Sequence, residues 1–143
     1  MFGDNFKEVL GLTLNYNKPP HTSCEHPLGR DKLEVVLPIE ITPTEVKQRI
    51  DAGEQFSLID VRDPQEHHIC RLDGATLIPM REISKQFDRR EEAALPLVVF
   101  CHHGVRSLTV VAWLREQGLA ECQSMAGGID AWSREVDSAV PRY

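Results

Sequence analysis

The chain has 143 residues and a formal net charge of -6, with no basic stripe or run of Lys and Arg, which argues against general nucleic-acid binding. That length suits one domain with a single core, and four cysteines, at 24, 70, 101 and 122, are too few and too scattered for a disulfide scaffold and fit a reducing compartment. No segment approaches the roughly eighteen apolar residues of a membrane span, and residues 1–14 lack the pattern of a secretory signal, so a cytoplasmic protein without a membrane partner is expected.

Residues 1–38 read as an arm or linker and 39–143 as the domain. Phe6-Lys7-Glu8-Val9-Leu10 can start a short helix, but Gly11, Asn15, Asn17, Pro19, Pro20, Pro27 and Gly29 punctuate the remainder of the arm. His21, Cys24 and His26 lie close in sequence. Three ligands on an irregular segment fall short of a paired-ligand pattern, so no metal site is expected.

From Thr42 the signals sharpen. Thr42 with Glu45 three residues on is a capping box, Pro43 takes the first helical position, and Gly53 is a stop, giving a helix over about 43–52. A strand over 56–61 comes next. Asp63 caps a short helix from Pro64, and Gly74 leads into a strand at about 75–78. A helix over 81–88, a strand over 96–100, a helix over 105–117 stopped by Gly118, a strand over 121–125 and a helix over 128–135 complete the series. There is no internal repeat. Alternating strands and helices predict a parallel sheet with helices on both faces, and such sheets bind ligands beyond the carboxyl ends of their strands.

One such end carries chemistry. The apolar run Leu97-Val98-Val99-Phe100 stops at Cys101-His102-His103-Gly104-Val105-Arg106-Ser107 and opens onto a predicted helix. The N–H groups and positive dipole end of that helix favour thiolate over thiol, which makes Cys101 a candidate nucleophile. Four residues separate Cys101 from Arg106. A loop of that size can curl so that successive N–H groups face one point, an anion nest, with the guanidinium closing its rim and Gly104 permitting the crowded backbone.

These residues are flanked by further blocks: Asp60-Val61-Arg62 at the end of an apolar run, then Glu66, then Cys70-Arg71-Leu72-Asp73-Gly74-Ala75, and later Met125-Ala126-Gly127-Gly128-Ile129-Asp130-Ala131-Trp132. In this order around the cysteine loop they resemble the rhodanese family of sulfurtransferases, from about Ile39 to Tyr143. The chain departs from that pattern at Cys70-Arg71-Leu72-Asp73, where relatives usually carry Gly-His-Ile-Pro. The resemblance implies an α/β, rhodanese-like fold, with a central, mostly parallel five-stranded sheet and helices on both faces, in a single-domain member.

It also implies an activity. The cysteine takes sulfane sulfur from a small donor such as thiosulfate, becomes a persulfide, and passes the outer sulfur to cyanide, a thiol or a sulfur-accepting protein, with no cofactor. Cys101 matches the nucleophile, and His102, His103, Gly104, Val105, Arg106 and Ser107 form the expected substrate-binding set, with N–H groups of residues 102–106 around the sulfur. Arg106 either holds an anionic donor or fixes the loop through backbone carbonyls. Ser107 caps the helix in preference to reaching the thiolate. Both histidines shape charge and donor choice without transferring protons. Asp60 braces the loop or pairs with an arginine, Arg62 lines the entrance, and Glu66 is structural. Cys70 and Cys122 are packed thiols, although a second cysteine can in principle resolve a persulfide as a disulfide. Paired Gly127-Gly128 allows a tight crossing near the loop, with Trp132 as core. Two rivals remain: a persulfide carrier or regulatory interaction module, and a cysteine-dependent phosphatase, whose loop has five residues between cysteine and arginine instead of four.

Overall fold

The capping signals at Thr42 work as read. The Glu45 N–H donates to Thr42 Oγ1 at 3.2 Å and the Thr42 N–H donates back to the Glu45 carboxylate at 2.9 Å, so helix α1 runs Pro43–Asp51 directly after a short strand, β1, Glu40–Ile41. Nothing local marks β1. Two residues are too few to show alternation, and only their pairing with a distant strand makes them one. The computed structural model describes residues 37–87 and 95–143. Apart from Leu37 and Pro38, the expected arm, with His21, Cys24 and His26, lies outside the described residues.

After β1 and α1 come β2 (Ser57–Asp60), α2 (Pro64–Ile69), β3 (Ala75–Leu77), α3 (Ile83–Gln86), β4 (Leu97–Phe100), α4 (Val105–Glu116), β5 (Cys122–Met125) and α5 (Gly128–Glu135). Helix α3 is shorter than the predicted 81–88 because the Glu82 N–H donates to the Pro79 carbonyl at 2.7 Å, which places residues 81 and 82 in a turn.

The five strands form one sheet in the order β1-β5-β4-β2-β3, and every pairing is parallel. Successive side chains of a strand face opposite sides, which divides the core in two. Ile59, Leu97, Val99, Cys101 and Cys122 pack with Ile83 of α3 and Val110, Val111 and Leu114 of α4. Leu58, Val98, Phe100 and Met125 pack with Val46 of α1 and Ile129 and Trp132 of α5. Helices therefore cover both faces, as expected, and all four β4 residues are buried. This order puts β4 in the middle of the sheet. The loop at its carboxyl end sits between the amino ends of α4 and α5.

Candidate active site

Cys101 is the residue after β4 and is 1 % exposed. Gly104, at φ 100°, precedes α4 as its N-cap; this left-handed conformation suits glycine, and a Cβ there would stand 3.0 Å from the Gly127 nitrogen. The turn brings the Gly104 N–H to 3.1 Å from Cys101 Sγ, and the Ser107 N–H, from the first turn of α4, to 3.4 Å. The expected ring of residues 102–106 is thus represented at the thiol sulfur by Gly104, joined by Ser107. Val105 sits at the loop's outer edge, 74 % exposed.

Ser107 does not cap α4, because Gly104 holds that position. Its hydroxyl lies 3.5 Å from Sγ, 3.1 Å from the Gly104 carbonyl and 2.8 Å from Ser124 Oγ. A hydroxyl has one proton and two lone pairs, so Ser124 can donate to Ser107 while Ser107 donates to sulfur. Sequence reasoning does not find Ser124. A signal for it exists, since alternation along β5 sends residues 122 and 124 to one face, but a buried serine reads as core until its neighbour is known.

The loop is held from behind by α5. The Ile129 N–H donates to the Cys101 carbonyl at 2.9 Å and the Asp130 N–H to the His102 carbonyl at 3.1 Å. Helix starts leave N–H groups without intrahelical partners, and these two find theirs in the loop. The approach leaves no room for a side chain at Gly128: with φ 61°, a Cβ there would meet the Cys101 and His102 oxygens at 2.4 Å.

Charged groups are paired rather than displayed. Arg62 is fully buried and does not line the entrance. Its Nη2 donates to Asp60 at 2.7 Å and to the Cys70 carbonyl at 2.7 Å, its Nη1 to the Glu66 carbonyl at 3.2 Å and to the Tyr143 hydroxyl at 2.9 Å. Burial works against the Arg62 charge, but the bonds to Asp60 and Tyr143 outweigh it and raise its pKa. Asp60, also fully buried, is contacted by His67 Nδ1 at 3.0 Å.

Arg106 is bonded to a carboxylate and not to backbone carbonyls. Nη1 and Nη2 each donate to one Glu66 oxygen at 2.7 Å, the bidentate geometry of the strongest carboxylate pairs. Glu66 also accepts from the Tyr143 hydroxyl at 2.9 Å and from the Asp63 N–H at 3.1 Å. The Arg106 bonds, against the opposing effect of burial, hold its carboxyl down at about 2.

The His102 ring stacks between His103, at 3.8 Å, and Tyr143, at 4.0 Å. Burial and the neighbouring His103 lower the His102 pKa, which favours its neutral form. His102, His103 and Asp130 offer ligand atoms within 4.8 Å of one another. Both Asp130 oxygens, however, accept from guanidinium groups, Oδ2 from Arg134 at 3.1 Å and Oδ1 from Arg142 at 2.8 Å, so a cation there would compete with two fixed charges.

Cys70 lies in the core on the other face of the sheet from Cys101, and Cys122 is buried with its thiol pushed up to about 12 by that burial. Both are packed, and neither is disulfide-bonded.

Comparison with known proteins identifies the arrangement. Residues 42–135 match the rhodanese-like domain. The chain belongs to the rhodanese-like family. It is 36 % identical over 107 residues to the probable adenylyltransferase/sulfurtransferase MoeZ of Mycobacterium tuberculosis, covering 72 % of this chain and 26 % of that protein. It is 32 % identical over 92 residues to the thiosulfate sulfurtransferase GlpE of Pseudomonas aeruginosa, covering 64 % of this chain and 81 % of that one. Among solved structures, a rhodanese-like domain protein from Staphylococcus aureus superposes with a TM-score of 0.61 at 27 % identity, over 73 % of this chain and 97 % of the other. This rhodanese-like chain spans about a quarter of the length of the curated relatives it matches first.

The site geometry leads to two expected outcomes. Gly128→Ala should lower stability by roughly 1–3 kcal/mol through backbone strain and the carbonyl clash, read as a lower urea midpoint, and should loosen the loop. Glu66 has a folded pKa of about 2, below its ordinary 4.5, so its contribution is present above the higher value and is lost as pH falls through the lower one. Glu66→Gln should therefore show a shallower acid limb between those two values when unfolding is followed by circular dichroism.

Proposed function

We propose that this protein is a sulfurtransferase that carries sulfane sulfur on Cys101. The observation that carries the reading is the set of donors on one buried sulfur: two backbone N–H groups and a hydroxyl converge on Cys101 Sγ at 3.1 to 3.5 Å. Such preorganised donors stabilise negative charge on sulfur without reorganisation. The thiolate attacks the outer sulfur of a sulfane donor, a new S–S bond forms, and the old one breaks with its electron pair leaving on the donor residue, sulfite when the donor is thiosulfate. A thiophilic acceptor then attacks the outer sulfur and Cys101 leaves as thiolate. Cyanide becomes thiocyanate in this step, and a thiol becomes a persulfide. No oxidant or cofactor enters the balance.

The four-residue spacing between Cys101 and Arg106 supports sulfur over phosphate chemistry, since the smaller loop suits one sulfur atom better than a tetrahedral phosphate. On the acceptor side we include a sulfur-accepting protein, supported by the relatives named as adenylyltransferase and sulfurtransferase. Free thiols at Cys70, Cys101 and Cys122 are consistent with a reducing, cytoplasmic setting, and we take the domain to begin near Ile39.

Intact-protein mass spectrometry after incubation with thiosulfate and with other sulfane donors should show a gain of one sulfur atom on the wild type and none on Cys101→Ser. A serine variant that still turns over, or sulfur found on Cys70, would remove the assignment. Arg106→Lys keeps the charge but loses the fork that joins α4 to Glu66. It should lower kcat/KM by about tenfold, whereas exchange of the exposed Arg71 should leave it within about twofold.

A further inference from the structure

Among the described residues, Arg106 of the loop and the nearby Arg62 each have a carboxylate of their own. Arg106 is bound through both Nη atoms to Glu66, Arg62 is buried against Asp60, and Arg134 and Arg142 share Asp130. His102, wedged between two rings, is shifted toward its neutral form. Among the described residues, the donors that reach the Cys101 sulfur are the neutral N–H groups of Gly104 and Ser107 and the Ser107 hydroxyl. A compact, doubly charged ion such as thiosulfate loses strong hydration on approaching the buried Cys101 sulfur and needs positive charge to replace it. An organic persulfide does not. Its transferred sulfur is flanked by an organic stem, and the loop offers that stem apolar surface in Val105, 74 % exposed, and in the Tyr143 ring stacked over His102.

Resting on the reading of Cys101 as the sulfur carrier, we propose that Glu66 is the specificity residue of this site: by occupying the Arg106 fork it turns the loop away from compact inorganic dianions and toward persulfides of organic thiols. The transfer is Cys101 thiolate plus R–S–SH, giving the Cys101 persulfide and the thiolate RS⁻. The S–S bond of the donor breaks with its electron pair on RS⁻, while the transferred sulfur keeps its proton until the acceptor step. Glu66 touches neither reacting sulfur. It acts through Arg106, so it is a positioning residue, and four donors hold its carboxylate in place: both Nη atoms of Arg106, the Tyr143 hydroxyl and the Asp63 N–H.

The test is the rate at which Cys101 gains a sulfur atom, read by intact mass without acceptor, from thiosulfate and from glutathione persulfide, with Cys101→Ser as the blank. Wild type should load faster from glutathione persulfide. In Glu66→Gln the ratio of thiosulfate to persulfide loading should rise by about tenfold or more, an electrostatic gain of roughly 1.4 kcal/mol, through tighter thiosulfate binding. Adding Arg106→Gln to that variant should reverse the rise, because the freed cation is then gone. Tyr143→Phe deletes a bond to the same carboxylate but keeps its charge, and should leave the ratio within about twofold. A ratio unchanged in Glu66→Gln, or one that swings as far in Tyr143→Phe, overturns the proposal while leaving Cys101 as carrier. If neither donor loads Cys101, the carrier reading fails and this one with it.

Discussion

The active loop depends on two backbone hydrogen bonds, from the Ile129 and Asp130 N–H groups to the carbonyls of Cys101 and His102. These bonds fix the two peptide planes that begin at Cys101 and His102, and the chain then turns so that the Gly104 N–H reaches the sulfur. One short loop thereby takes N–H groups from the starts of two helices. Those of α5 go to its oxygens, and the Ser107 N–H of α4 goes to Sγ. The requirement propagates outward: the Gly127-Gly128 pair allows the approach, Trp132 and Ile129 anchor α5 in the core, and the parallel pairing of β5 with β4 sets the distance.

The charged residues of the family blocks build the frame around this loop. Arg62 ties the end of β2 to the carbonyls of Glu66 and Cys70, fastening α2 to the sheet. Helix α2 in turn presents Glu66 to Arg106, and Tyr143 closes the set by bonding Arg62 and Glu66 while covering His102. A buried pair such as Asp60–Arg62 adds little net stability over an apolar substitute, yet losing one partner strands a charge. Such pairs therefore persist as geometry, while the hydrogen bonds to the sulfur come from neutral donors.

Much of this is legible in the sequence because it is local. Helix starts at Thr42 and Asp63, stops at Gly53 and Gly118, and the cysteine at a strand end all depend on residues within a few positions of one another. The partners are not legible. Glu66 and Arg106 lie 40 residues apart, and Tyr143 is 77 residues from Glu66, so no spacing rule joins them. The same gap explains why Arg62 reads as an entrance residue: a charged side chain after a strand suggests solvent, and only Asp60, Tyr143 and the α2 carbonyls together make its burial tolerable. Ser107 misleads for the complementary reason. Serine near a helix start suggests a cap, but the glycine at 104 already takes that place.

The near-complete burial of the Cys101 thiol carries a kinetic meaning. In the transfer proposed above, a second sulfur would extend the side chain by about 2 Å, lengthening the arm while the inner sulfur stays at the foot of the loop. The empty arm is short and shielded by that burial from bulky electrophiles, and a loaded arm would reach further. On that reading, depth would discriminate between the two states of the same cysteine: donors with a slim sulfane tip would gain access to the resting protein, and bulkier acceptors only after the arm had been filled.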